Sequence, residues 1–386
     1  MTSAALPRDG ATGRGPARTL RQRLRGVAEA AVTPLDLDDV LDVFHPLRRG
    51  ADLRARIVEV RPETAEAATL VLKPGRDWSG HVPGQYVRVG VDVDGVRLWR
   101  TYSLTHGTRP DRHISITVKA IPDGVVSNHL VHRAKPGQMI QLAQPEGDFV
   151  LPDPLPSRLL LVTGGSGITP VIGMLRNLFS RRNPADVDIV LLHVNASASS
   201  AIFRDELRRH AAAGRLRLVE RFDDRDGLLD VEHPEHGLAA LVPDLDERLA
   251  YGCGPAGLLD ALEAHHESRG LTLHTERFRP VVLGETGEGG TVTFGSADGE
   301  GVTVEADGAT PLLDAGESAG VLMPSGCRMG VCFGCVVPLR SGAVRDLRNG
   351  AVTVAVPGET GPEGVPVQTC INAAAGPCSL EIGATR

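Results

Sequence analysis

The sequence predicts a multidomain protein: an antiparallel β-barrel, then a doubly wound α/β domain, then a small α+β domain of β-grasp type. Three observations predict this. Six short runs rich in β-branched residues, separated by Gly, Pro and Asp, lie between residues 53 and 145. That spacing suits a closed antiparallel barrel. From residue 158 strand-like runs alternate with helical ones, the pattern of a parallel sheet covered on both faces. The last stretch holds three cysteines in SGCRMGVCFGC (325–335) and a fourth at Cys370.

The elements follow in order. Residues 1–26 carry six Arg against one Asp among Ala, Gly and Pro, so they read as a solvated arm. Thr33-Pro34 writes a helix start, with Thr as N-cap and Pro at the first helical position. The helix PLDLDDVLDVF ends at His45-Pro46. The barrel runs are LRARIVEVRP, ATLVLKP, GQYVRVGVDV, VRLWRTYSL, HISITVKA and QMIQLAQP. RLLLVTGG then leads into a helix opened by Thr169-Pro170, and VDIVLLHV leads to IFRDELRRHAAAG. LRLVERF precedes a long connection, ERLAYGCG leads to PAGLLDALEAHHESRG, and LTLHTERF closes the series. GETGEGG (284–290) reads as a Gly/Glu linker. TVTF, GVTVEA, the helix PLLDAGESAG, the cysteine loop and CVVPLRSGAV make the last domain, with PGETGPEGVP (357–366) as a surface insertion. The expected boundaries are an arm and helix over 1–49, a barrel over 50–155, an α/β domain over 156–280, a linker over 281–290 and the cysteine-bearing domain over 291–386.

Cys327, Cys332, Cys335 and Cys370 show the spacing C-x4-C-x2-C with a distant fourth Cys, the ligand pattern of a plant-type [2Fe–2S] ferredoxin. Gly326, Gly330 and Gly334 stand among them, where a crowded loop needs residues without a Cβ. Zinc sites usually pair two C-x2-C knuckles, and this loop has one. Disulfides need an oxidising compartment, and the N-terminus does not read as a secretory signal. A cluster of this kind passes one electron at a time. Cys378 is expected to be a buried or incidental thiol.

The net charge is −7. From residue 281 onward there are 12 acidic and 5 basic residues, so the tail carries the whole excess and residues 1–280 balance at 36 each. An acidic surface steers toward a basic patch on a partner and also keeps a protein dispersed. No apolar run approaches the ~20 residues of a membrane span, and nothing points to nucleic-acid binding. A cytoplasmic location is expected. The basic arm is a solvated tail first, and a contact for an anionic membrane or partner second.

Arg100-Thr101-Tyr102-Ser103 ends a barrel run. Arg100 and Tyr102 fall on one strand face, where an Arg can pair with phosphate and Tyr can lie against a flat ring. The Ser103 hydroxyl or N–H stands where it can bond a flavin N5. Gly124-Val125-Val126-Ser127 opens a short helix with free N–H groups for a phosphate. GGSGITP (164–170) leaves the first parallel strand, the place of a nucleotide phosphate in a doubly wound sheet.

In that order RTYS, GVVS, EGDF (146–149), GGSGITP, YGCGP (251–255) and ERF (276–278) resemble the ferredoxin–NADP⁺ reductase family. With the C-terminal cysteine domain, the chain is similar to fused reductase–ferredoxin electron-transfer components of oxygenases and desaturases. FHPLRRGADLRARIVEV and HTERFRP look most like the electron-transfer partners of bacterial acyl-CoA (stearoyl-type) desaturases. The resemblance implies that Arg100, Tyr102 and Ser103 bind the flavin and that Gly124 and Ser127 take its pyrophosphate. It implies that Gly165, Gly167 and Thr169 shape the nicotinamide-nucleotide site, that Cys253 and Gly254 lie near the nicotinamide, and that Glu276 and Phe278 cover the flavin face. Ser103, Cys253, Glu276 and Phe278 are thus the expected catalytic residues. Cys253 also fits a small buried hydrophobe, and Phe278 fits core packing.

FAD rather than FMN follows from GVVS and the resemblance. NADPH is favoured over NADH, because Ser197, Ser199, Ser200 and Arg204 follow the second parallel strand with no acid before Asp205. A nicotinamide gives a hydride, a cluster takes single electrons, and a flavin connects the two. The expected partners are NAD(P)H and a redox protein acceptor, a desaturase or an oxygenase, through which the chain reaches a membrane peripherally. The other readings are a reductase for an aromatic or phenylacetyl-type oxygenase or a cytochrome P450, and, in another class, a redox sensor.

Overall fold

The computed structural model describes residue 41 and residues 44–93, 95–107, 109–122, 124–180, 187–278, 287–295, 301–326, 328, 330, 333–357 and 364–382. The arm at 1–26, all of the helix at 34–44 but Leu41 and Phe44, Cys327, Cys332 and most of the 357–366 insertion lie outside the described residues. A small unit joins residues up to Asp52 with Gly75–Asp77. In it Arg76 N–H donates to the Leu47 carbonyl at 3.1 Å and Gly50 N–H to Asp77 Oδ2 at 2.5 Å.

The remaining residues form three sheets. β1 (Arg54–Thr64), β2 (Ala67–Pro74), β3 (Tyr86–Val93), β4 (Val96–Ser103), β5 (Ile114–Lys119) and β6 (Met139–Leu142) are the six expected barrel runs. They pair antiparallel in the order β4-β3-β6-β1-β2-β5. The two edge strands meet again just past β4, where Leu104 bridges Ile116, so the sheet curls on itself and shields its edges. Ile57, Leu70, Leu72, Val87, Val89 and Ile116 fill its interior. Helix α1 (Val125–His132) is only eight residues long, too short to persist alone. It is held by Val126 and Leu130, which are buried in that same core.

The second sheet is parallel, in the order β11-β10-β7-β8-β9. Its strands are β7 (Arg158–Gly164), β8 (Asp188–Asn195), β9 (Arg217–Phe222), β10 (Leu249–Cys253) and β11 (Leu273–Glu276), with helices α2 (Ile168–Ser180), α3 (Arg204–Ala212) and α4 (Ala256–Ser268). β7 is central, and its apolar run has a direct cause. Leu159 and Leu161 enter one core with α2, whereas Leu160 and Val162 enter another with Leu259 and Leu262 of α4. A strand covered on both faces cannot alternate apolar with polar. The chain runs from β7 to β8 on one side, and β10 sits on the other. The turn after β7 therefore opens at the switch point of the sheet.

The third sheet has β12 (Gly287–Gly295), β13 (Gly301–Gly308), β14 (Val336–Asp346), β15 (Val352–Ala355), β16 (Val365–Gln368) and β17 (Asn372–Glu381), with helix α5 (Leu312–Ser318). The order is β13-β12-β17-β14-β15, with β16 on β14. One expectation is corrected here. The stretch 284–290 is not linker to its end: Gly287 pairs with Gly308 and Gly290 with Ala306. Ladder pairing with β13 satisfies backbone groups that a free linker would leave to water. Among the described residues no helix is long and apolar enough to cross a membrane.

Candidate functional site

Strand β4 delivers Thr101, Tyr102 and Ser103 to a cavity of ≈ 130 Å³, which is also lined by Tyr86, Thr117, Lys119, Ile121, Ser166, Thr169, Glu276 and Phe278. The barrel supplies one wall. The turn after β7 and the end of β11 supply the other. Ser103 is buried opposite Tyr86 in the β3–β4 register. Burial pushes the Tyr102 phenol well above its ordinary range, an effect that the nearby Arg100 opposes. The ring is therefore a neutral wall over the working pH range. Two polar atoms at this cavity lack a hydrogen-bond partner among the described residues: Thr101 Oγ1 and Glu276 Oε2. Leaving such atoms unpaired is costly, and a polar flavin ring edge in the cavity would satisfy both. The residues present thus fit a flavin.

Glu276 ends β11 in register with Cys253. Burial first, and the charge of Asp148 second, raise its carboxyl to about 8 from an ordinary 4.5. Asp148 comes from the EGDF run, which explains why that run accompanies the site. Cys253 is fully buried in the core beside α2 and does not line this cavity. Burial, with Glu276 adding to it, raises its thiol well above the ordinary range. Phe278 is 37% exposed, which sets aside core packing as its role.

A second, larger cavity of ≈ 940 Å³ runs along Gly164, Gly165, Ser166, Gly167, Gly254, Pro255, Ala256, Arg277 and Phe278. Phe278, Ser166, Lys119 and Ile121 line both cavities, so the two share a wall. The β7 turn passes the end of β10 closely enough that a Cβ on Gly167 would stand 2.0 Å from the Cys253 carbonyl oxygen. Gly165 takes φ +52, a left-handed conformation. Thr169 donates to the Ser166 carbonyl at 2.9 Å and closes the turn. Gly167→Ala is accordingly expected to destabilise the protein by more than about 3 kcal/mol, because backbone cannot yield as a side chain does. Urea denaturation checks this, and an unchanged midpoint would contradict the packing.

Other expected residues sit elsewhere. Gly124 is the N-cap of α1 and faces a third cavity with Asn128, His129, His132 and Arg133. Ser127 Oγ donates to the Gly124 carbonyl at 3.2 Å and accepts from Ile121 N–H at 3.3 Å. Arg100 Nη1 donates to the Trp99 carbonyl at 2.8 Å, and its Nη2 lies 3.9 Å from Glu317 on α5. Ser197, Ser199 and Ser200 gather in one turn, with Oγ–Oγ distances of 3.0 and 3.2 Å. Arg204 does not join them. It pairs with Glu220 at 3.2 Å and lies over the Phe222 ring, because β9 brings a carboxylate within reach of α3.

Cys335 and Cys370 are both buried, and their sulfurs stand 3.1 Å apart without a disulfide. Two thiols converging from the turns before β14 and before β17 fit half of a four-thiolate donor set, and Cys327 and Cys332 lie outside the described residues. Cys378 is buried in the same core, with its thiol raised to about 11 by burial, which suits a packing role. Sequence reasoning missed Tyr86, Thr117, Lys119 and Ser166. Of these only Ser166 left a signal, as part of GGSGITP; Gly147 of EGDF packs on Tyr86, since a Cβ there would meet the Tyr86 ring at 3.0 Å.

A barrel, a switch-point turn and a converging thiol pair define a flavin-dependent pyridine-nucleotide oxidoreductase with an attached iron–sulfur domain. Comparison with known proteins agrees. The chain matches the family models of the oxidoreductase FAD-binding domain over residues 57–151, the oxidoreductase NAD-binding domain over 161–264 and the 2Fe-2S iron-sulfur cluster binding domain over 296–371. The chain belongs to the ferredoxin–NADP⁺ reductase family, in the form that carries a C-terminal [2Fe–2S] domain. It is 45% identical over 366 residues to an NADPH oxidoreductase of Mycobacterium tuberculosis, covering 93% of this chain and 92% of that protein. It is 31% identical over 316 residues to the ferredoxin reductase component of a 3-ketosteroid-9-alpha-monooxygenase from the same species, covering 76% and 86%. In fold it is similar to phthalate dioxygenase reductase, with a TM-score of 0.55 at 21% identity, over 85% of this chain and 97% of that one. The protein is an NAD(P)H-dependent electron-transfer reductase that uses FAD and a [2Fe–2S] cluster.

Proposed function

We propose that the chain is an NADPH-dependent reductase component that hands single electrons to a separate oxygen-activating enzyme, either an oxygenase or a fatty-acyl desaturase. The observation that carries this reading is the wall shared by the two cavities. On one side Tyr102 and Ser103 hold the flavin ring; on the other Gly165, Gly167 and Gly254 take the nicotinamide nucleotide. Phe278 lies between them and yields when the nicotinamide enters. The flavin, when bound, takes a two-electron charge and releases it singly. The protein supplies orientation: Ser103 at the strand end, Thr169 closing the turn, Glu276 beneath. Cys327, Cys332, Cys335 and Cys370 hold the cluster.

NADPH is supported by the three gathered hydroxyls at 197–200 and by the name of the 45%-identical relative. With Arg204 held by Glu220, the hydroxyls are left as the main recognition of a 2′-phosphate. The acidic tail supports a basic acceptor. The reductase component at 31% identity supports an oxygenase, and the resemblance of FHPLRRGADLRARIVEV and HTERFRP supports a desaturase. Reconstitution decides between them. The purified chain is mixed with NADPH and either a desaturase with acyl-CoA or a ring-hydroxylating oxygenase with its substrate. Product in neither mixture, despite turnover with ferricyanide, would defeat the proposal. The same assay with NADH is expected to run at least about tenfold slower at equal concentration, the worth of roughly one ion-pair-strength contact.

A further inference from the structure

Two threonines and a carboxyl form a hydrogen-bonded row that begins at the flavin cavity. Thr117 of β5 lines that cavity. Across the β2–β5 register it faces Thr69, and the two hydroxyls stand 2.7 Å apart. Thr69 Oγ1 in turn donates to Glu63 Oε1 at 2.6 Å. Both threonines are buried, whereas Glu63 is half-buried near the end of β1. An irregularity in the strand lets Glu63 reach this far. Pro62 pairs with Ala68 and Thr64 with Ala67, so Glu63 is the extra residue of a bulge. Bulges re-aim a side chain in this way. Arg61, opposite Thr69 in register, does not compete for it, because it binds Glu59 at 2.6 and 2.5 Å. Arg176 of α2, whose charge also acts on Glu63, is taken by Glu206 of α3 at 2.8 and 2.6 Å and by the Thr105 carbonyl at 2.7 Å.

The row has a direction. A carboxylate only accepts hydrogen bonds, and a hydroxyl has one hydrogen to give. Thr69 spends its hydrogen on Glu63, so Thr117 donates to Thr69. The Thr117 oxygen keeps a lone pair with which to accept a proton. Threonines paired across two strands stabilise a sheet by themselves; a carboxyl at the end turns the pair into a path. Burial is the largest influence on Glu63 and raises its carboxyl above the ordinary value, while the Thr69 hydrogen bond pulls it down. It therefore holds a proton more readily than an exposed glutamate does. The chemistry of the cavity calls for such a path. A hydride brings one proton and two electrons. The electrons leave singly for the cluster, and the proton is left behind in a buried site. We propose that Thr117, Thr69 and Glu63 form the exit by which this proton leaves the flavin cavity for water. Thr117 takes it while giving its own to Thr69, and Thr69 gives its own to Glu63, whose carboxyl releases it to solvent. At each hydroxyl one O–H bond forms and one breaks. In sum, NADPH and two oxidised one-electron acceptors yield NADP⁺, two reduced acceptors and one proton. The proposal rests on the placement of the flavin ring given under the proposed function, and it adds the residues that clear the proton.

The test uses the full-length holoprotein, with its two half-reactions followed separately by stopped-flow absorbance. Glu63→Gln keeps an oxygen for Thr69 to bond but cannot take up a proton. Thr69→Val removes the middle hydroxyl. Both are expected to leave bleaching of the flavin by NADPH at the parental rate, because hydride arrival releases no proton. Both are expected to slow reoxidation by ferricyanide at least about tenfold, within the reach of positioned proton transfer, and to enlarge the solvent deuterium isotope effect on that step. Thr69→Ser, which keeps the hydroxyl, is expected to restore both. Infrared titration of the oxidised holoprotein gives a readout apart from turnover, the Glu63 carboxyl band being assigned by its absence in Glu63→Gln. Its midpoint is expected to rise in Thr69→Val, since a hydrogen bond to the charged form is lost while Arg61, Arg176 and Glu206 still act on it. Parental reoxidation rates in Glu63→Gln and Thr69→Val overturn the proposal. So does an unmoved carboxyl midpoint, which would mean that the row is not bonded in solution, or slower bleaching by NADPH, which would make these residues part of the hydride site. A parent chain whose flavin NADPH does not bleach overturns the reading of the cavity and this proposal together.

Discussion

Cys335→Ala is expected to abolish reduction of a one-electron protein acceptor while NADPH-driven ferricyanide reduction stays within about twofold of the parent. Cys335 is 1% exposed, and its sulfur faces that of Cys370 at 3.1 Å. In the proposed donor set Cys335 is one thiolate of four, a ligand the cluster cannot replace, so a loss of roughly a hundredfold or more is expected. The flavin half does not share this dependence. Its two α/β cores and its barrel core contain no residue of the cysteine domain. A small oxidant can therefore still draw electrons at the flavin. Visible absorption and iron analysis should show loss of the cluster with flavin retained. Loss of both activities together would mean that electrons do not pass in the order flavin, cluster, acceptor.

Glu276→Gln is expected to remove a pH dependence centred near 8. Burial raises the native carboxyl to about 8, whereas the unfolded chain titrates near 4.5. The folded protein thus keeps a proton that the unfolded chain releases. The stability this provides is fully present below pH 4.5 and is lost progressively as pH rises through about 8. At about 1.4 kcal/mol per unit, the whole change is on the order of several kcal/mol. Gln cannot ionise, so the variant should match the parent below about pH 4.5 and exceed it in Tm by a margin that grows up to about pH 8 and then holds. The same ionisation acts on turnover. Under the proposed function the cavity lined by Glu276 is where a hydride arrives, and a carboxylate there opposes the incoming negative charge, so NADPH–ferricyanide turnover of the parent should fall above pH 8 while that of the variant stays level. Parallel Tm and rate profiles for the two proteins would show that Glu276 does not titrate there.

Much of the fold was legible because its causes are local. RLLLVTGG declares a doubly covered strand, and β7 is one. The six barrel runs carry their turns between them. The cysteine spacing announces a thiolate set. The linker reading failed at Gly287–Gly290 because composition registers flexibility but not the presence of β13, which pairs with those residues. Arg204 misled for a similar reason. A guanidinium next to three serines reads as phosphate recognition, yet Glu220 lies across from it on a neighbouring strand. Tyr86, Thr117 and Lys119 look like ordinary strand residues, and nothing in their neighbours says that they line a cavity.

The sequence by itself determined which kinds of domain the chain builds and which chemistries it hosts, because strand period, turn residues and ligand spacing are properties of neighbouring positions. Only the tertiary structure decided which side chains meet: Glu276 beside Asp148 and beneath the cavity of Ser103, Phe278 between two cavities, and Arg100 reaching Glu317. Those contacts join positions far apart in the chain. They are set by how sheets curl and helices pack, which depends on the whole buried surface at once and not on any local pattern.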